Sequence, residues 1–328
     1  MTHLVQYGGR PRQQRRSTAA TRRARRTLPY ETYRQSRIAM DTAITIELVH
    51  EPGDTTAHAA VDQALGWFAE VERRCSRFDP ASELSQLCAT SDTAIEVSPL
   101  LYTAIQFACL VAESTEGAFD PTVGAALARV GFARNYVTGE ERVPSSDIGA
   151  ASWRDIDLDD DAHTVRLLRP LLLDLGAVAK GMAIDLAAET LRAYPGFAID
   201  AGGDLYLGGT SADGAWLVGI AHPRKPGELA TRVELRDHAV CTSGDYERRS
   251  TSATHILDAR AGASAVGLAS VSVIAPGAMV ADALGTAAFA LGPDAGWQFL
   301  EDQSGIEALL ILETGEARPT SGWHEYVR

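Results

Sequence analysis

From Arg37 onward, short stretches of period two alternate with longer stretches of helical period, and the strand-like ones are more numerous and often adjacent. Adjacent strands pair as hairpins, whereas a doubly wound parallel sheet needs a crossover between its strands. An α+β fold is therefore expected, with a largely antiparallel or mixed sheet and helices packed on it. MDTAITIELVH alternates as a half-buried strand does. TTAHAAVDQALGWFAEVERRCSRF puts Val61, Leu65, Phe68 and Val71 on one helical stripe. LLYTAIQFACLVAESTEG reads as a second helix closed by Gly117. WRDIDLDDDAHTVRLLRP reads as two strands joined by a solvated acidic turn. That turn is no calcium loop, since Asp160 stands where an EF-hand needs glycine and no glutamate closes it. FAIDAGGDLYLGG, WLVGIAHP, TRVELRDHAVCTSG, THILDARAG, SVSVIAP and ALLILE read as further strands. Helices are expected at VADALGTAAFALG and near Gly296 to Gln303.

Charge divides the chain. Residues 1–37 hold ten arginines against one acid, while the remainder carries twenty basic and forty-two acidic residues. The head has almost no apolar periodicity, so residues 1–37 are expected to form a disordered, arginine-rich extension. A transit peptide, a nucleic-acid arm, a tail lying on the acidic body and an extension without function all fit that composition. The length allows one large domain or two small ones, and because residues 38–328 show no linker-like break they are expected to form a single domain. No run is long enough to span a membrane; Pro99 to Ala112 falls short of the roughly 18 apolar residues required. Cys75, Cys88, Cys109 and Cys241 lack CxxC spacing and read as reduced core thiols. These features predict a cytoplasmic protein without a membrane segment, and the acidic body gives no reason to expect a nucleic-acid partner.

Three short stretches carry chemistry, and neither GxGxxG nor GxxxxGK[ST] is among them. In GAFDPTVG, Pro121 pushes Asp120 out of the helical region and presents it at a rigid turn. In LDLGAVAKGMAID, small residues leave carbonyls accessible, and Lys180, one of two lysines in the chain, lies near a helix start where an anion is favoured. In VADALGTAAFALG, Asp282 and Thr286 are four apart, so a carboxylate and a hydroxyl share one helix face and suit Mg²⁺. Taken singly, each has a plain alternative. Asp120 or Asp282 can cap a helix, Thr286 can bond back to a carbonyl, Lys180 can be a solvated helix residue, and His255 can be a strand histidine. No packing rule asks for all of them together.

Seven blocks in order resemble the ApbE-type flavin transferases: SRFDPASELSQL, GAFDPTVGAAL, LDLGAVAKGMAID, AIDAGGDLYLGG, AVCTSGDYERR, THILDARAG and SVSVIAPGAMVADALGTAAFALG. The resemblance implies an ApbE-like domain and Mg²⁺-dependent transfer of FMN from FAD to a threonine or serine of an acceptor flavoprotein, with release of AMP. It also implies metal ligation by Asp282, Thr286 and the main-chain carbonyl of Ala177. Flavin-nucleotide contacts are implied for Met40, Phe78, Ala118, Phe119, Asp120, Asp174, Lys180 and Ile256, with Phe78 stacking on a ring and Asp120 and Asp174 bonding adenosine or ribose. Asp282 is expected to be catalytic through its metal, and His255 is the expected base for the acceptor hydroxyl. Asp41 replaces a glycine of the family pattern, Asp200 replaces an asparagine, and Ala259 and Ala261 replace a proline and a threonine. Two alternatives use the same residues: an FAD pyrophosphatase yielding FMN and AMP, and a non-catalytic FAD-binding protein.

Overall fold

The computed structural model describes residues 2–4, 30–133, 150–246 and 255–328. The first half of the chain runs β1 (Thr2–Leu4), β2 (Glu31–Ala39), β3 (Thr42–His50), α1 (Ala57–Cys75), α2 (Glu83–Cys88), β4 (Ala94–Glu96), α3 (Pro99–Ser114), α4 (Gly124–Arg129), β5 (Ile156–Asp159) and β6 (Thr164–Leu167). Then follow α5 (Gly176–Leu191), β7 (Gly196–Ala201), β8 (Asp204–Gly209), β9 (Trp216–Ala221), β10 (Leu229–Leu235) and β11 (His238–Gly244). The chain closes with β12 (Leu257–Asp258), β13 (Ala263–Ser264), β14 (Leu268–Ala275), α6 (Ala278–Leu291), α7 (Pro293–Glu301), β15 (Glu307–Leu312) and β16 (Ala317–Pro319).

Eight strands form the central sheet in the order β16-β15-β14-β11-β8-β7-β3-β2, and every pairing in it is antiparallel. This is the expected α+β architecture. One face packs against α1, α5 and α6, where Ile44, Ile46, Val61, Leu65, Phe68, Ile184, Val271, Val273 and Phe289 join one core. The opposite face is covered by the small sheet β1-β9-β10, whose Val218, Ile220 and Val233 meet Leu205, Leu207, Val240 and Ile274. Covering on both sides explains why all eight residues of β14 are buried although its sequence is not uniformly apolar. Its Ser272 hydroxyl bonds that of Thr242 (2.8 Å), so this buried polar atom has a partner.

Several expectations need correction. The boundary at residue 37 falls inside β2, which pairs with β3 residue for residue from Glu31↔His50 to Ala39↔Thr42. This strand is held by side-chain contacts to α1 more than by burial. Tyr33 stacks on His58 (3.9 Å), and both Gln35 and Arg37 bond Asp62. Counting arginines hid that alternation. The rest of the expected disordered head, residue 1 and residues 5–29, lies outside the described residues. FAIDAGGDLYLGG is two strands, because Gly202 and Gly203 (φ 67° and 98°) make the two-residue turn that joins β7 to β8. TRVELRDHAVCTSG also divides: β10 pairs with β9 in the small sheet, whereas β11 crosses to the large one. THILDARAG contributes only the two residues of β12 within the described part. The late helix begins at Pro293, where Gly292 and proline mark its start, rather than at Gly296.

Candidate functional site

A cleft of about 370 Å³ opens where the β2–β3 turn, the β7–β8 turn, the start of α5 and one face of α6 come together. The two helices approach closely because α5 offers a glycine at the crossing. A methyl group on Gly181 would lie 2.5 Å from the backbone of Ala278 and Met279. Gly277 supplies no side-chain cap for α6; Asp185 of α5 does so instead, accepting from the N–H groups of Ala278 (2.6 Å) and Met279 (2.9 Å). Burial pushes the Asp185 carboxyl above its usual range, and those two backbone bonds oppose the rise.

This crossing aims Asp282 and Thr286 of α6 at Lys180 of α5. The Lys180 ammonium lies 2.8 Å from Asp282 Oδ2 and also pairs with Asp204 at the start of β8. Asp204 is itself fixed by the N–H of Thr242 (2.9 Å). Ser243 completes the group, its hydroxyl 3.2 Å from that of Thr286. Two carboxylates around one ammonium leave a net negative charge, the condition under which a divalent cation is welcome. Behind them Cys241 is buried and bonds the Ala278 carbonyl (3.6 Å); burial, then Asp282, hold its thiol neutral.

The cleft is also lined by Phe119, Asp120, Asp174, His255 and Ile256, with Met40 from the β2–β3 turn. Asp120 is buried beneath its turn. One oxygen accepts from the N–H and the hydroxyl of Thr122 (both 2.8 Å), the other from the N–H of Trp153 (3.0 Å). Its carboxyl is raised by burial, which these bonds only partly offset. Asp174 accepts the N–H of Gly176 (2.8 Å) and an ion pair from Arg77. Met40 and Asp41 occupy the β2–β3 turn with φ of 51° and 59°. Asp41 therefore adopts the left-handed conformation that glycine would take most readily, and aspartate tolerates it better than most residues.

Of the twelve residues expected at the site, ten line this one cleft; Phe78 and Ala118 do not. One face of the Phe78 ring is covered by the Arg77 guanidinium at 4.1 Å, which leaves that face closed to a ligand ring. Ala118 is fully buried, and its carbonyl accepts from Ala259 (3.1 Å), bracing the loop after His255. Lys180 stands one turn inside α5 rather than at its first residue, with its ammonium turned to carboxylates. Sequence reasoning missed Asp204, Ser243, Asp185 and Arg77. All four lie in or beside the quoted blocks, but their roles depend on contacts between distant segments.

Among the described residues, no three His, Cys, Asp or Glu side chains are grouped to hold a metal. The available donors are instead the carboxylates of Asp282 and Asp204 and the hydroxyls of Thr286 and Ser243, with Ala177 also on the lining. Such hard oxygens fit Mg²⁺, which keeps waters and shares substrate phosphates. The arrangement can thus neutralise a diphosphate against a metal and an ammonium, with a histidine on the lining of the same cleft.

An FAD:protein FMN transferase of Treponema pallidum is 30% identical over 322 residues, covering 90% of this chain and 89% of the relative. That of Haemophilus influenzae is 29% identical, covering 75% and 76%. The crystal structure of an ApbE protein from Thermotoga maritima superposes with a TM-score of 0.80 at 29% identity, covering 91% of this chain and all of that one. The flavin transferase ApbE from Vibrio cholerae gives 0.79 at 26%, with the same coverage. The sequence profile of the ApbE family matches residues 40–310, the span that contains every residue of the cleft, and the chain belongs to that family.

Proposed function

We propose that this enzyme transfers FMN from FAD to a threonine or serine hydroxyl of an acceptor flavoprotein and releases AMP, with Mg²⁺ as cofactor. The observation that carries this reading is the meeting of Asp282, Thr286, Lys180 and His255 in one cleft large enough for part of a dinucleotide. The names of the relatives support flavin transfer in general. In this reaction the acceptor oxygen forms a new bond to the phosphorus on the FMN side, and the bond linking the two phosphates breaks. AMP then carries away the electron pair. Phosphoryl-type transfer depends mainly on positioning and on neutralised charge.

Each residue has a task in this scheme. Asp282, Thr286 and the Ala177 carbonyl would hold the metal, which supplies positive charge to the pyrophosphate oxygens when bound. Lys180 adds a fixed cation and is oriented by Asp204. His255 takes the proton of the acceptor hydroxyl. Met40, Phe119 and Ile256 supply apolar contact for the flavin or adenine rings, while Asp120 and Asp174 shape the wall through their internal hydrogen bonds. A cytoplasmic setting fits the four free thiols.

The test is incubation with FAD, Mg²⁺ and a candidate acceptor, followed by intact mass of the acceptor. An adduct of FMN size, lost when Mg²⁺ is chelated, is the expected result. FAD consumed to FMN and AMP without an adduct would identify a pyrophosphatase instead, and bound FAD without turnover a carrier.

A further inference from the structure

Among the described residues Arg77 is the only buried arginine, 6% exposed, and it lies in the loop between α1 and α2 outside the cleft lining. Its guanidinium reaches three segments at once. Nε pairs with Asp174 Oδ2, Nη2 donates to the Phe132 carbonyl (2.7 Å), and the plane lies over the Phe78 ring. Asp174 in turn accepts the N–H of Gly176, the first residue of the helix that carries Lys180. Phe132 meets His255 edge-on at 6.2 Å and packs with Leu127 and Leu257. One planar fork therefore ties the start of the Lys180 helix to the segment that supports His255.

We propose that Arg77 is a positioning residue that sets the spacing between the Lys180 side and the His255 side of the cleft. The inference rests on the flavin-transfer reading, in which the pyrophosphate lies near Lys180 and the acceptor hydroxyl near His255. The fork geometry is what the task requires. Arginine offers donors at fixed angles to two acceptors, whereas lysine is a point charge that satisfies one direction at a time. A displacement of about 1 Å between reacting groups can cost on the order of 100-fold in rate without loss of binding.

Arg77→Lys and Arg77→Met in the full-length protein test this. Melting temperature, equilibrium FAD binding and steady-state transfer are measured together, with hydrogen exchange on the ligand-free protein. Arg77→Lys is expected to fold and to hold KM for FAD within about 3-fold, while kcat falls roughly 10- to 100-fold. Exchange should rise in residues 127–133 and 172–180 and stay unchanged in β14. Arg77→Met should lower kcat further. Wild-type kcat in Arg77→Lys overturns the proposal, as does a lowered melting temperature with exchange raised throughout and normal kcat per folded molecule. If the wild-type protein neither binds nor converts FAD, the flavin reading falls, and the exchange pattern alone then decides whether Arg77 sets the spacing.

Discussion

Asp282 is the only acidic residue of α6, and it faces the cleft from within a helix otherwise made of apolar and small residues. Such a helix gains nothing in packing from a buried carboxylate, so the charge is there for a partner. Replacing Asp282 with asparagine keeps the shape and removes the charge. Transfer should fall by more than about 100-fold, because the several kcal/mol that a bound metal contributes would be lost. Thr286→Ala should be milder, near 10-fold, since a water can replace a neutral ligand. Initial rates at saturating Mg²⁺ check both, and wild-type turnover in Asp282→Asn would move the metal site elsewhere. The four-residue spacing made this pair legible in the sequence. Asp204 was not legible in the same way. It meets Lys180 only because the Gly202–Gly203 turn folds β8 back beside β7 and sets it next to β11. Phe78 lies off the cleft lining, with one face of its ring against Arg77, a contact that spacing alone does not reveal.

Helix α5 shows how one element serves packing and chemistry together. Gly181 allows the crossing with α6, Asp185 caps α6, and Lys180 faces the acid that α6 presents. Gly181→Ala would drive a methyl into backbone atoms, which cannot move aside as a flexible side chain can. The expected cost is about 1–3 kcal/mol, with turnover falling as Asp282 shifts; chemical denaturation and rate assays report the two effects separately. Glu83 joins three helices in the same way. It bonds Arg74 of α1 (2.9 Å) and the hydroxyl of Ser98, the N-cap of α3 (2.6 Å), while opening α2 itself. Burial would raise its carboxyl, but the bonds from Ser98 and Arg74 outweigh burial and hold it below the usual value of 4.5. A depressed folded value means that the stabilisation is complete above pH 4.5 and disappears as pH falls through that lower value. Glu83→Gln should therefore cost about 1–3 kcal/mol at pH 7. The gap to wild type should close as pH drops below 4.5 and through the depressed folded value, which melting curves across pH would show. Periodicity revealed α1, α3, α6 and the β5–β6 hairpin, whereas β7 and β8 hid because two short strands and a glycine turn resemble one long strand.

At the scale of the whole molecule, charge draws a boundary at residue 37, and β2 runs across it. The asymmetry of charge is real, but β2 begins at Glu31 and carries Arg34 and Arg37 on the edge of the central sheet. Charged residues on an edge strand discourage pairing with other chains, so arginines there are compatible with a folded strand. The strand also leads directly into Met40 and Asp41, which line the cleft. Where the chain is cut therefore matters more than how many arginines are removed. Removing residues 1–29 takes away the three-residue pairing of β1 with β9 and leaves the β2–β3 ladder whole. At about 1 kcal/mol for each of the few ladder hydrogen bonds lost, its melting temperature should stay within about 6 °C of full length. Removing residues 1–37 instead strips the outer partner from β3 and frees one end of the Met40–Asp41 turn. At about 1 kcal/mol for each ladder hydrogen bond lost, several such bonds should lower melting by on the order of 10 °C. FAD binding should weaken as well, because Met40 would no longer be anchored by the strand before it. Scanning calorimetry and FAD titration of the two truncations decide the matter: equal melting and equal affinity would mean that β2 is dispensable and that the domain does begin near residue 38.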